Sequence, residues 1–88
     1  GALYSSSTAS SITITSSNFT SSVSAGDGGN IYFGAVSSAA ISMTTVNVNN
    51  GQATGNGGGI YVNDVSITIN GARFSGNIAE NGAAGYFT

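Results

Sequence analysis

Asp27, Asp64, Glu80 and Arg73 are the only charged side chains of this chain, and they bound the chemistry it can do. Acid–base cleavage of a glycosidic bond needs two carboxyl groups on one substrate. With no His, Lys or Cys, an imidazole base, a thiolate nucleophile and a His- or Cys-ligated metal are all excluded. One Arg cannot neutralise a nucleic-acid backbone. Gly26-Asp27-Gly28-Gly29 is a turn with one carboxylate, whereas Ca²⁺ takes several oxygen ligands. The expectation is no catalytic residue, no cofactor and no metal.

The uncharged polar groups offer more. Thr13 and Thr15, Ser42 and Thr44, and Thr68 and Asn70 recur as pairs two residues apart. On strands they would form two outward rows of small hydroxyl and amide groups. Such rows could order water at an ice surface or hydrogen-bond a carbohydrate. They are also ordinary exposed strand residues. Asn18-Phe19-Thr20 is an N-glycosylation sequon. Ser5-Ser6-Ser7, Ser16-Ser17 and Ser21-Ser22 could carry O-linked sugars, or could simply be neutral polar loops. A glycan coat would keep so uncharged a surface in solution.

The elements that must position these groups are written as a repeat. Gly1-Ala2-Leu3-Tyr4, Gly29-Asn30-Ile31-Tyr32, Gly58-Gly59-Ile60-Tyr61 and Ala83-Ala84-Gly85-Tyr86 are four copies of one phrase, with tyrosines 28, 29 and 25 residues apart. A fixed period in this range signals a solenoid or array. Each repeat continues with an alternating segment (Ile12-Thr13-Ile14, Ile41-Ser42-Met43, Ile67-Thr68-Ile69), then a large apolar residue (Phe19, Val48, Phe74). A small residue follows (Ala25, Ala53, Ala79), then Asp27, Asn56 or Asn81 with glycine after it. In this frame the three acids fall at different phases of the repeat, so none pairs with another.

Period-2 alternation predicts short strands with one buried face, and no segment has the spacing of an amphipathic helix. Three short strands per repeat describe a coil of a parallel β-helix, an all-β solenoid of about three coils. The repeats run about 4–31, 32–60 and 61–86, forming one segment over residues 1–88. Stacked coils predict three apolar columns: Ile12, Ile41, Ile67; Ile14, Met43, Ile69; and Phe19, Val48, Phe74. The alanines are expected at an inner corner, and every Asn and Gly at a corner, with Gly28, Gly57 and Gly82 supplying positive φ. Asn18 and Asn47 share a register and could form an amide ladder. If Ile31 and Phe33 face inward, Tyr4, Tyr32, Tyr61 and Tyr86 form an exposed stripe; the alternation leaves their orientation open. The variable stretches Ser5–Ser11, Gly34–Ala40 and Asn63–Val65 are expected as outward loops.

Gly58-Gly59-Ile60-Tyr61 followed by Phe74-Ser75-Gly76-Asn77 resembles the paired GGA[ILV] and FxxN repeats of chlamydial polymorphic outer membrane proteins. More broadly, the chain is similar to right-handed parallel β-helices of the pectin-lyase-like superfamily. The first repeat reads Phe19-Thr20-Ser21-Ser22 and the second carries Val48 in place of Phe. The resemblance implies a right-handed β-helix at a cell surface or secreted, a structural or adhesive element and not an enzyme. No apolar run reaches membrane-spanning length. Three whole repeats without a polar capping unit predict either a window of a longer solenoid or a unit that stacks head to tail into a rod or filament. The expected partners are therefore copies of itself or neighbouring coils, and glycans.

Overall fold

The computed structural model describes residues 1–5, 11–34, 40–63 and 66–88, which are all β with no helix. The first repeat supplies β1 (Leu3–Ser5), β2 (Ser11–Thr15), β3 (Asn18–Thr20) and β4 (Val23–Ser24). The second supplies β5 (Ile31–Gly34), β6 (Ala40–Thr44), β7 (Asn47–Asn49) and β8 (Gln52–Ala53). The third supplies β9 (Ile60–Asn63), β10 (Ser66–Asn70) and β11 (Arg73–Ser75), and β12 (Gly85–Phe87) follows. No described helix is long and apolar enough to cross a membrane.

Strands that follow one another in the chain do not pair. Each pairs in parallel with its counterpart one repeat away. The sheets are β1-β5-β9-β12, β2-β6-β10, β3-β7-β11 and β4-β8. A bridge from Gln52 to Ile78 continues the last sheet into the third repeat. The register sets like on like: Tyr4 opposite Tyr32, Tyr32 opposite Tyr61, and Tyr61 opposite Tyr86. Ile12 lies opposite Ile41 and Ile41 opposite Ile67; Ile14, Met43 and Ile69 follow in the same sheet. Phe19, Val48 and Phe74 are likewise opposed. The alanine row is corrected in one place. Ser24, not Ala25, stands opposite Ala53, and Ala25 is exposed. The first interval at this corner is one residue longer than alignment on alanine assumes.

The chain turns between strands at three corners per repeat, each in the left-handed region. Gly28, Gly57 and Gly82 (φ 71°, 72° and 60°) form one row. A Cβ at any of them would meet the carbonyl oxygen of the residue three positions on, Ile31, Ile60 or Gly85, so glycine is needed for space as well as for φ. Ser16, Thr45 and Gly71 form a second row, and Ser21, Asn50 and Gly76 a third. Backbone pairing runs on through these corners: Ser16 N–H donates to Thr44 O at 3.0 Å, Ser21 N–H to Asn49 O at 3.0 Å and Gly28 N–H to Asn56 O at 2.9 Å. The inter-repeat ladder offsets part of the conformational cost of the non-glycine corners.

The core centres on the middle repeat and extends into β9 of the third. Ile31, Phe33, Met43, Val46, Val48 and Ile60 are fully buried, and Ile41 and Val62 nearly so. Leu3, Ile12, Phe19, Ile67, Ile69 and Phe74 are only partly covered, because a repeat is on one side of them and not the other. Val46 is a core residue that the column pattern does not reveal. Its neighbours in the ladder are Ser17 and the residue before Arg73, neither of them large. Ile41→Ala should therefore lower the unfolding free energy by about 2–5 kcal/mol. Ile12→Ala, in the same column but half covered, should lower it by clearly less, as urea denaturation of the two variants will show.

Candidate functional site

Two outward surfaces and one internal polar device concentrate the chemistry of this chain. The first surface is the tyrosine column. Ile31 and Phe33 fill the interior side of β5, which leaves Tyr32 on the opposite face. The parallel register then lays each ring on the next. Centroids of Tyr4–Tyr32, Tyr32–Tyr61 and Tyr61–Tyr86 are 4.6, 5.0 and 5.6 Å apart, with interplanar angles of 9°, 8° and 2°. Strand spacing of about 4.7–4.9 Å is close to the separation that parallel rings require, so the sheet builds the stack with little adjustment. Gly34 leaves room for it: a Cβ there would lie 2.7 Å from the Tyr32 hydroxyl oxygen. Desolvation, then the Asp27 carboxylate, Tyr32 and Tyr86, raise the Tyr61 phenol above its ordinary pKa, so the ring is neutral near pH 7. A groove of about 330 Å³, lined by Tyr4, Tyr32, Ser24 and Asp27 among others, flanks the column.

The second surface is the outer face of β2-β6-β10. Thr13, Ser42 and Thr68 stand opposite one another there, as do Thr15, Thr44 and Asn70. All six are exposed or half-exposed. On the adjoining sheet, Asn18 faces Asn47, whose Nδ2 donates to Asn18 Oδ1 at 2.7 Å. Arg73 occupies the third place in that row and is exposed. The Asn18 Oδ1 is thus engaged while the residue itself stays on the surface.

Asp27 holds a corner. Its Oδ1 accepts the Asn56 N–H at 2.7 Å, and Asn81 Nδ2 donates to Asn56 Oδ1 at 2.9 Å, so the acid and two amides form one ladder. No group of three or more His, Cys, Asp or Glu residues suited to a metal lies among the described residues. Asp64, Ser6, Ser7 and most of the variable stretches Ser5–Ser11, Gly34–Ala40 and Asn63–Val65 lie outside the described residues.

Asn30 departs from the corner role expected of every asparagine. It is fully buried. Its Oδ1 accepts the Ser22 N–H at 3.3 Å and its Nδ2 donates to Asn49 O at 3.1 Å. One repeat on, Asn77 does the same service from a different wall: Oδ1 accepts the Gly51 N–H at 2.8 Å and Nδ2 donates to Val48 O at 2.9 Å. Ser22 and Gly51 hold the same register position, just after a left-handed corner that turns the N–H inward. Each interior carboxamide faces a glycine. A Cβ at Gly51 would lie 2.6 Å from Asn30 Nδ2, and one at Gly59 would lie 3.1 Å from Asn77 Nδ2. Asn30 pairs in the ladder with Gly59, so asparagine and glycine exchange places between the two layers. The sequence holds the signal in Asn30-Ile31 against Gly59-Ile60, and in Gly51 against Asn77.

Among known proteins, no family model, curated relative or solved structure matches this chain.

Asn30→Ala would leave the Ser22 N–H without its acceptor, while the Asn49 carbonyl keeps only the Ser21 N–H. It should lower stability by about 1–3 kcal/mol in a denaturant titration. Asn18→Ala, which breaks only an exposed amide pair, should change it by no more than about 0.5 kcal/mol.

Proposed function

We propose that this chain is a right-handed parallel β-helix that serves as a structural or adhesive element outside the cell. Its repeats stack end to end into a rod or filament, within a longer solenoid or between copies. One observation carries this reading: all four sheets join equivalent segments of successive repeats in parallel, with like residues in register. A surface that has already been matched to its own repeat is matched to a further one. The edge formed by Ile69, Phe74, Ala84, Gly85 and Phe87 encloses an apolar hollow of about 220 Å³. It carries the same residue classes that the first repeat presents through Leu3, Ile14 and Phe19. Exposed Phe87, which stands opposite buried Val62, would be covered by such stacking.

The resemblance to polymorphic outer membrane proteins and pectin-lyase-like β-helices supports placement at the cell surface, with glycans on Asn18 or the serine-rich stretches as possible partners. No enzymatic turnover belongs to this reading. Stacked repeats should give oriented-fibre diffraction with a strand spacing of about 4.7–4.9 Å and an axial repeat of about 14–15 Å for three repeats. Particles that remain monomeric at high concentration, with no filament in electron micrographs and no axial repeat, would refute end-to-end assembly.

The register of the hydroxyl rows supports a second reading, an ice- or carbohydrate-binding face. Thr13, Ser42 and Thr68, beside Thr15, Thr44 and Asn70, make a lattice of small polar groups with strand spacing in one direction and alternate-residue spacing in the other. If that face orders water, the protein shows thermal hysteresis, and replacing Thr13, Ser42 and Thr68 together with Lys removes it.

A further inference from the structure

We infer that the tyrosine column is a redox relay, a path along which one oxidising equivalent passes from ring to ring. Three features of the molecule support this. The first is geometry: four phenols lie face to face, each within 5.6 Å of the next and tilted by no more than 9°. Electron exchange falls off steeply with separation, and each step here is a contact between π-faces. The terminal rings are three strand spacings apart, about 14–15 Å, so a relay of short steps replaces one long one.

The second feature is proton access. Oxidising a phenol removes an electron and, in water, its hydroxyl proton. Tyr4 is 69% exposed and the other three rings are half-exposed. No buried side-chain oxygen lacks a partner among the described residues, so no phenol is sealed in without one. The groove beside Tyr4, Tyr32 and Asp27 opens the column to solvent along its flank.

The third feature is the absence of competitors. The chain has no Cys, Trp or His, and its single methionine, Met43, is fully buried. The tyrosines are the readily oxidised side chains on this surface.

The step balances as follows. A one-electron oxidant takes an electron from the first phenol, which releases its proton to water and becomes a neutral phenoxyl radical. The neighbouring phenol gives an electron to that radical and a proton to water. The first ring takes a proton from water and is restored. The radical has moved one place, with no net change in atoms or charge. The oxidant is the only co-reactant, and any one-electron oxidant stronger than a phenoxyl radical serves.

The test uses a cysteine introduced at the exposed Thr88 (Thr88→Cys), beside Tyr86, labelled with a ruthenium polypyridyl photo-oxidant. Flash oxidation with a sacrificial acceptor, at a dilution where yields do not depend on concentration, is followed by trapping with a nitroso compound. Tandem mass spectrometry then locates the adducts. Adducts should appear on Tyr4 as well as on Tyr86. They should vanish from Tyr4, and persist on Tyr86, when Tyr32→Phe and Tyr61→Phe are combined. Phe keeps the stacked ring and removes the oxidisable hydroxyl, and circular dichroism checks that the fold is kept. Adducts confined to Tyr86 in the protein with all four tyrosines would overturn the relay, whatever the variant does. A Tyr4 adduct that survives the double substitution would overturn it as well.

Discussion

Parallel pairing of each strand with its own counterpart one repeat later is the constraint on which the rest of this structure depends. It places every side chain at strand spacing from the equivalent side chain above or below. Groups that attract their own kind are favoured under that rule, and groups that repel their own kind are not. Aliphatic side chains, aromatic rings and carboxamides all pass. Identical charges do not: at about 4.8 Å they repel by roughly 1 kcal/mol even in water, and by more near a protein surface. The scarcity of charge follows. Asp27 is continued in its ladder by two neutral amides, Asn56 and Asn81, and Arg73 continues a row of Asn18 and Asn47. No acid or base is stacked on its like in these rows.

The same rule explains how polar groups enter the interior. A left-handed corner turns one backbone N–H inward in each layer, where no strand neighbour can reach it. An unpaired interior N–H would be destabilising, so a carboxamide must be supplied from within. Asn30 supplies it in one layer and Asn77 in the next, from opposite sides of the interior. The facing position is glycine in both cases: a Cβ at Gly51 would meet the Gly58 carbonyl oxygen and then the Asn30 amide, and one at Gly59 the Ala84 carbonyl oxygen before the Asn77 amide. The interior is therefore specified by pairs of residues in different segments as well as by columns of like residues.

The outer faces follow from the same geometry. A sheet that stacks tyrosine on tyrosine produces a continuous aromatic column, and one that stacks hydroxyl on hydroxyl produces a flat polar lattice. The proposed assembly, surface binding and redox relay would all draw on this regularity, and none would need a charged cluster or a metal.

The sequence by itself determined the repeat, the three main strands of each repeat, the apolar residues that oppose one another, and the glycine corner at Gly28, Gly57 and Gly82. These are short-range matters: a period of two sets alternate faces, and a recurring phrase sets the register between repeats. Only the tertiary structure decided that Tyr32 faces out and stacks, because alternation names two faces and not which of them is covered. It decided that Asn30 lies inside, since its partners Ser22 and Asn49 come from two different repeats. It also decided that Ser16, Thr45, Ser21 and Asn50 hold left-handed corners, and that Ser24 rather than Ala25 opposes Ala53. Those choices arise from contacts between segments a full repeat apart, where backbone pairing overrides local preference.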